Sequence, residues 1–509
     1  MSQLPDYVAS SKPIPTGSRT GWLTTTAATY AGVMLWFVFW QDVPVGGGGI
    51  AGGTLSQGLG FAIVSLVIAA LLCHFLYYFV PGLLGMKTGL PLAVVGTSTY
   101  GVTGGFFMPG LLMGLLQFGW LSVNAYFSAL LLAKTFGFGE GSSLHMIFGT
   151  IWALLAMFVG LKGIQYVGKI ASYMPIIPIV ILAALLVKTT GGLTSYSDEE
   201  LRNGPQKALA ARVTLVEKYK VEKAKPEVIK EEETKVKALE ALAEAGPATL
   251  YGNASLGVLS LMCAYVIGFF ATAGAAGVGI CSVVKDKKAV QMGGFVGIIL
   301  PTVISGIIAL IAVAGVQKAA LDKAPELLAT YNVPGLFGLI FGEKFAGVVM
   351  FLLAIAAFPS ACFCTLIAAD CIKTSFPKIN PWASCGVGVA AAILLVIFGW
   401  AGKAGDVFTV IGASFGPICG AMAADYILSG FKWAGPRAGF NPAGWLSWLV
   451  GFIVGGATLV VTKFLNGTMP FEIPCPPLSA FVVGFVLYFI FAKLGLESKK
   501  ITLPQRIDE

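Results

Sequence analysis

Long apolar runs, separated by short polar segments, follow one another along most of the chain. Each run is long enough to cross ~30 Å of hydrocarbon as a helix. The pattern therefore predicts an all-α integral membrane protein with about 12 transmembrane helices. The predicted spans are residues 22–41, 58–84, 105–132, 144–161, 170–187, 256–283, 292–316, 337–369, 383–400, 407–428, 444–464 and 478–494.

One segment, residues 195–246, is dense in Lys and Glu and does not fit a membrane. Its charges nearly cancel, and it predicts solvated helices that Pro205 and Pro226 interrupt. Two interpretations stay open: a surface hairpin with no direct role, and a docking or capping domain over the external mouth. The chain then divides into a tail (1–21), five spans (22–187), this insertion, five spans (256–428), two spans (444–494) and a second tail (495–509).

Composition supports the membrane assignment. Of the 509 residues, 56% are hydrophobic and 11% are charged, values outside the range of soluble domains. The net charge of +8 is explained by cationic cytoplasmic loops, and the loop asymmetry predicts that both termini lie inside, at the inner membrane if the protein is bacterial. The loops and tails predicted to be cytoplasmic contain Lys12, Arg19, Lys87, Lys162, Lys169, Lys285, Lys287, Lys288, Lys373, Lys378, Lys432, Arg437, Lys499, Lys500 and Arg506.

Several function classes lack their signatures. The spans contain no nucleophile–base pair, HExxH motif or clustered carboxylates, so an enzyme is not predicted. Cys362 and Cys364 would point to different sides of a helix, which makes a poor metal pair. The sequence contains no basic cluster with interleaved aromatic residues, so nucleic-acid binding is not predicted. The predicted partners are a small-molecule substrate, the lipid bilayer and, through residues 195–246, a protein.

The third predicted span has a polar face. Gly110, Gly114, Gln117 and Asn124 recur at helical spacing, and Trp120 flanks them. Small residues let a neighbouring helix approach closely, and an amide at membrane depth needs a partner, a water or a ligand. The pattern predicts one wall of a buried site.

Glycine is concentrated in the sixth span, where Gly274, Gly277 and Gly279 predict a helix that is interrupted at mid-depth. Five spans on each side of the insertion are compatible with an inverted repeat, in which interrupted helices mark the binding site. The first span has only Gly32 and predicts an interruption less well. Tight helix packing is the alternative explanation for the glycines.

Motifs occur in three separated places: Gly85, Thr88, Gly89, Leu90, Tyr100, Gly101, Gly104, Pro109, Leu111, Leu112, Gln117, Gly119 and Trp120, then the run 268–279, then Gly416, Pro417, Gly420, Ala424, Asp425, Tyr426 and Trp445. These motifs resemble the nucleobase:cation symporter-1 family, which includes cytosine permeases and a hydantoin transporter. The resemblance implies a LeuT-like 5+5 inverted repeat with two C-terminal helices.

The resemblance also implies a substrate site. Trp120 and Phe270, or else Phe269, would enclose a flat heterocycle, and Gln117 and Asn124 would bind its polar edge. The backbone at Gly274 would also reach the substrate. The alternative is that these aromatic residues only face lipid or the core.

The eighth span departs from the family pattern, which places asparagines and a pair of hydroxyls there. Residues 354–365 contain no asparagine, and Ser360 and Thr365 are the hydroxyls available. A sodium site would therefore use Ser360, Thr365 and unwound carbonyls near Ala356 and in the first helix. No cofactor is predicted, and sodium is the candidate coupling ion. His74, inside the second span, is predicted to be packed and neutral rather than a proton carrier.

The predicted function is secondary active transport of a small planar heterocycle, such as a nucleobase, by cation-coupled alternating access. Two alternatives remain open. One is a LeuT-fold transporter of another small solute. The other is a sensor or assembly subunit on a transporter scaffold, which binds a ligand or a partner without flux.

Overall fold

The computed structural model describes residues 4–46, 50–163, 166–167, 173–222, 226–323, 327, 332–376 and 378–502. These residues are mostly helical, and each of the twelve predicted apolar runs overlaps a helix. The start of the fifth predicted span lies outside the described residues. The helices up to the insertion are α1 (Asp6–Ala9), α2 (Ala28–Met34), α3 (Phe37–Asp42), α4 (Leu59–Thr88), α5 (Leu92–Val95), α6 (Thr97–Thr135), α7 (Ser143–Leu161) and α8 (Ile176–Ser195).

The insertion forms three helices and is followed by the second half of the fold. The helices from the insertion onward are α9 (Asp198–Arg202), α10 (Gly204–Val221), α11 (Pro226–Ala245), α12 (Ala254–Cys281), α13 (Lys287–Ala320), α14 (Val333–Phe341), α15 (Glu343–Ser375), α16 (Pro381–Ile397), α17 (Ala404–Leu428), α18 (Pro442–Phe464) and α19 (Pro476–Lys493). Within the described residues, 10 helices are long and apolar enough to cross a membrane. The other two predicted spans are the short α16 and the first span, which is divided into α2 and α3.

The first span is broken near its middle. α2 ends at Met34, and Trp36 has an extended backbone (φ −65°, ψ 130°) before α3 begins. Other side chains bind the carbonyls that the break releases: Trp40 Nε1 donates to Leu35 O (3.1 Å) and Ser305 Oγ donates to Met34 O (3.4 Å). Such donors make an interrupted helix tolerable at membrane depth.

The predicted interruption of the sixth span is wrong, because α12 is one continuous helix from Ala254 to Cys281. Its glycines are packing surfaces instead. A Cβ at Gly274 would lie 2.7 Å from the Cβ of Tyr77 on α4, and one at Gly277 would lie 3.1 Å from the hydroxyl of Tyr30. Close contact with α4 favours glycine, while the backbone keeps its helical hydrogen bonds.

Most of the membrane helices form two groups, and the remaining ones pack beside these groups. Helices α6, α7, α15 and α16 pack on one another as one group, called here the scaffold. Helices α2, α3, α4, α12 and α13 form the second group, called here the bundle. Helix α17 packs on α12 of the bundle and on α18 and α19, while α8 contacts both α13 and α15.

The first and last segments that the structure describes lie at one end of the molecule. Tyr7 donates a hydrogen bond to Val102 O, and Ile14 N donates to Gly89 O, at the turn between α4 and α6. Ile501 N donates to Pro436 O, which ties the C-terminal segment to the same region. Helix α4 begins at the opposite end of the molecule and ends near these terminal segments. The insertion that follows α8 lies at the end where α4 begins.

The insertion is a helical hairpin that is fastened at its base. Arg202 Nη1 donates to Ser56 O (2.8 Å), and Ala51 N donates to Gly246 O (3.1 Å). Between these points α10 and α11 pack on each other, and Arg212 pairs with Glu232 (2.7 Å). Burial raises the pKa of the Glu232 carboxyl, but hydrogen bonding to Lys235 and the charge of Arg212 outweigh this effect and hold the pKa below its usual value.

Candidate functional site

Trp120 lies in the scaffold helix α6 and faces the bundle. Its ring centroid is 5.1 Å from that of Phe269 on α12 and 6.1 Å from that of Trp36 at the break between α2 and α3. Phe408 of α17 lies 5.1 Å away on another side. These four rings, called here the aromatic cluster, are buried and join the scaffold, the bundle and α17.

A hydrogen bond accompanies this ring contact. Trp120 Nε1 donates to Thr272 Oγ1 across the interface between α6 and α12 (2.9 Å). Trp120 is therefore turned away from lipid, as the polar face of its helix predicts. A ligand that entered between the rings would have to replace this hydrogen bond.

The structure brings Phe269 rather than Phe270 to Trp120. Phe270 lies on the other side of α12, fully buried against Tyr30, with ring centroids 5.7 Å apart. Adjacent residues in a helix point about 100° apart, so only one of them can face α6. Of the two residues that the resemblance offered, Phe269 is the one in the cluster.

Trp36 is the residue that sequence reasoning missed. Its ring stacks on Phe269 at 6.0 Å with an interplanar angle of 30°. Its Nε1 is buried and has no hydrogen-bond partner among the described residues. A buried donor without a partner costs free energy, and ligand binding can recover that cost. The only signal in the sequence was an aromatic residue inside an apolar run that also contains Gly32.

Asn124 is buried one helical turn beyond Trp120 and is bound by protein groups on all sides. Its Nδ2 donates to Ser360 Oγ (2.8 Å) and Ala357 O (3.2 Å) of α15. Its Oδ1 accepts from Trp152 Nε1 of α7 (3.0 Å) and from Ser128 Oγ (3.5 Å). Asn124 thus connects three scaffold helices.

Gln117 lies one turn before Trp120 and is also buried. Its Nε2 lies 3.5 Å from Met113 Sδ, a weak acceptor one turn away on the same helix. The amide of Gln117 therefore has fewer and weaker hydrogen bonds to protein groups than the amide of Asn124.

The candidate cation ligands do not converge. Ser360 Oγ donates to Ala357 O (2.7 Å), so this hydroxyl contacts the carbonyl of Ala357 rather than that of Ala356. Thr365 Oγ1 is turned toward α7, where it donates to Ala156 O (2.8 Å). Sodium needs several hard oxygen atoms that face one point. The oxygens nominated from the sequence do not provide that arrangement.

Two other predicted positions have packing contacts. Gly274 lies against Tyr77, on the side of α12 that faces α4. His74 is buried, and its ring lies 4.8 Å from that of Phe75 and 5.6 Å from that of Tyr78. Among the described residues, no three His, Cys, Asp or Glu side chains are grouped so that they could hold a metal ion.

A cavity of about 350 Å³ lies away from the aromatic cluster, at the end of the molecule that carries the termini. It is lined by Pro13, Lys87, Thr88, Leu90, Lys432 and Trp433. Lys87 Nζ donates there to Tyr426 OH (2.9 Å) and Phe431 O (2.6 Å).

A scaffold and a bundle that meet at an aromatic site beside a broken first helix define the LeuT-like transporter fold, with its 5+5 inverted repeat and two C-terminal helices. No protein-family model and no curated protein matches the chain. Solved structures do match. The chain is similar to Mhp1, a nucleobase-cation-symport-1 family transporter, in a closed conformation with bromovinylhydantoin bound, with 13% identity over 97% of this chain and 96% of that chain and a TM-score of 0.62.

Two further structures agree. The inward-facing conformation of Mhp1 matches with 15% identity over 96% of this chain and 95% of that chain, at a TM-score of 0.61. A sodium-coupled sialic acid symporter in a substrate-bound outward-open state matches with 13% identity over 98% of this chain and 93% of that chain, at a TM-score of 0.56. These matches confirm the predicted fold.

Proposed function

We propose that the protein is a secondary transporter related to the nucleobase-cation-symport-1 family. It moves a small, planar, uncharged heterocycle, such as a nucleobase, by alternating access. The observation that carries the proposal is the aromatic cluster, in which Trp120 of the scaffold meets Trp36 and Phe269 of the bundle. Flat apolar faces suit a planar ring, and the cluster contains no charged side chain that would suit an ionic solute.

The comparison with Mhp1 supports this substrate class. Its structure holds bromovinylhydantoin, which is a substituted planar heterocycle. In this protein the ligand would lie between Trp120 and the bundle rings. Phe269 and Trp36 are the bundle rings that the geometry offers for this role.

Alternating access follows from the position of the cluster. When the bundle rocks away from the scaffold, Trp120 separates from Phe269, and the hydrogen bond from Trp120 to Thr272 breaks. The indole N–H groups of Trp36 and Trp120, together with the Gln117 amide, then become donors and acceptors for the polar edge of the substrate. When the bundle closes, the rings hold the substrate away from water.

The loop charges assign the two sides of the membrane. The end that carries both termini has the cationic loops, so we assign it to the cytoplasm. The helical hairpin of residues 195–246 would then lie outside, where it offers a surface for a protein partner.

The function is tested with purified protein in liposomes. A thermal-shift screen over purines, pyrimidines, hydantoins and vitamins, each with and without sodium, first identifies ligands, because a ligand that prefers the folded state raises its melting temperature. Uptake of the labelled ligand is then measured. Ligand-dependent uptake supports the proposal. Tight binding without flux would instead identify a sensor or assembly subunit, and a charged ligand would overturn the substrate class.

A further inference from the structure

We propose that the amide of Asn124 takes the place of a coupling cation, so that this protein binds and moves its substrate without sodium. The inference rests on the proposed function, because it concerns what drives the same transport cycle. It opposes the sodium coupling that the fold suggests, since the solved relatives include a sodium-coupled symporter.

Ser360 Oγ and Ala357 O both face the Nδ2 group of Asn124, at 2.8 Å and 3.2 Å. The hydrogen atoms of an amide NH₂ carry partial positive charge, so this group satisfies both oxygens as a cation would. A sodium ion would have to displace the amide to reach them.

The orientation of the Asn124 amide is fixed by the groups that face its oxygen. The indole N–H of Trp152 can only donate, so the amide atom that faces it at 3.0 Å must be Oδ1 of Asn124. Ser128 Oγ donates to the same oxygen. The NH₂ group must therefore point toward Ser360, and a flipped amide would place two donors against each other.

A sodium site would need further oxygen atoms from outside Asn124 and Ser360. The carbonyls of Met34 and Leu35, at the break in the first span, accept hydrogen bonds from Ser305 and Trp40. Thr365 donates to Ala156 O of α7 and does not face Ser360. Residues 344–369 of α15 contain no Asp or Glu. The carbonyls of Met34 and Leu35 and the hydroxyl of Thr365 thus already have hydrogen-bond partners in the protein.

The wild-type protein gives the primary test. Its melting temperature is measured in sodium chloride, potassium chloride and choline chloride at equal ionic strength. Uptake of the ligand that the thermal-shift screen identifies is measured in the same salts. We expect equal melting temperatures and equal uptake in all three. A rise in melting temperature specific to sodium, or uptake that requires sodium, would overturn the inference. Absence of uptake in every salt would instead count against the proposed transport function, while the melting data still decide sodium binding.

A gain-of-function variant gives the second test. Asn124→Asp replaces the NH₂ group by an oxygen, which would face Ser360 Oγ and Ala357 O and carry a negative charge. We expect this variant to gain a sodium-specific rise in melting temperature. Asn380→Asp, at the exposed N-cap of α16, adds the same charge away from the site and should show none. If Asn124→Asp folds and does not respond to sodium, these oxygens are not a displaced cation site, and the inference fails.

Discussion

Trp36 and Phe269 show, at the scale of single side chains, what decides the composition of the candidate site. Burial of Trp120 and Asn124 could be predicted, because amides at helical spacing beside an indole are costly in lipid. The choice between Phe269 and Phe270 could not, because it depends on the rotation of α12 against α6. Trp36 joins the cluster only because the chain breaks beside it.

Loss of the Trp120 ring should weaken ligand binding. Trp120→Ala removes the scaffold side of the aromatic cluster, and stacking of a base on an aromatic ring contributes roughly 1–3 kcal/mol. The dissociation constant should rise on the order of 5- to 150-fold, as titration calorimetry of the ligand found by thermal shift can measure. Trp382→Ala is the matched control, since Trp382 is 46% exposed on α16. Equal affinity of Trp120→Ala and wild type would show that the ligand binds elsewhere.

At the scale of helices, the glycine-rich α12 lacks the interruption that the sequence predicts. The first span, where the sequence predicts an interruption less well, is broken. Glycine lowers helix propensity, but close packing on α4 keeps α12 continuous. The break at Trp36 has neither glycine nor proline at the site and depends on donors from Trp40 and Ser305. Ser305 is distant in the sequence, so no local pattern could reveal this contact.

Two glycines of α12 should respond in opposite ways to the same substitution. Gly274→Ala would place a methyl group 2.7 Å from the Cβ of Tyr77 and should destabilise the fold by about 1–3 kcal/mol, because the packed helices must separate. Gly279→Ala has no atom within 4 Å of its new Cβ, so helix propensity should make it neutral or stabilising by up to about 1 kcal/mol. Denaturant unfolding in detergent distinguishes them. Equal stability of the two variants would refute the packing role of Gly274.

The hairpin of residues 195–246 should be separable from the membrane core. Both ends of it reach the segment 51–56, so a short Gly/Ser linker can replace residues 205–244. We expect this variant to fold and to bind ligand with unchanged affinity, because α10 and α11 pack on each other. Leu201→Ala, at the fully buried base, should by contrast cost about 2–5 kcal/mol. Lost ligand binding in the linker variant would favour the capping interpretation over the surface hairpin.

At the scale of the whole molecule, the number of spans could be predicted because hydrophobic run length depends on the membrane rather than on detailed packing. The LeuT-like arrangement of the spans was implied by the resemblance of the motifs to a known family. The candidate site could be predicted only in part. The partners of Asn124 come from α7 and α15, and their approach follows from how the scaffold helices assemble. Contacts between distant segments therefore limit what the sequence reveals.

A buried ionic network joins distant segments at the end that carries the termini. Arg437 Nη1 pairs with Asp425 at the end of α17 (3.0 Å), and Arg437 Nη2 pairs with Glu497 of the C-terminal segment (2.6 Å). Ser98 and Thr99, at the start of α6, donate to Asp425 as well. Burial is the largest single effect and lowers the pKa of Arg437, but the charges of Asp425, Tyr488 and Glu497 and the hydrogen bond to Asp425 together raise the pKa above its usual value.

Breaking this network from one side should destabilise the protein more than removing both charges. Arg437→Met leaves Asp425 buried without its cation and should cost about 3–5 kcal/mol. Adding Asp425→Asn removes the stranded charge while keeping an oxygen for Ser98 and Thr99, so the double variant should be more stable than the sum of the two single effects by about 0.5–3 kcal/mol. Unfolding of all four proteins in detergent measures this coupling. The exposed pair Lys218–Glu222 is the control, with an expected coupling of about 0.3–0.5 kcal/mol because water screens it. Additive effects at Arg437 and Asp425 would mean that this pair does not hold the segments together, and that other contacts join α6, α17 and the C-terminal segment at this end.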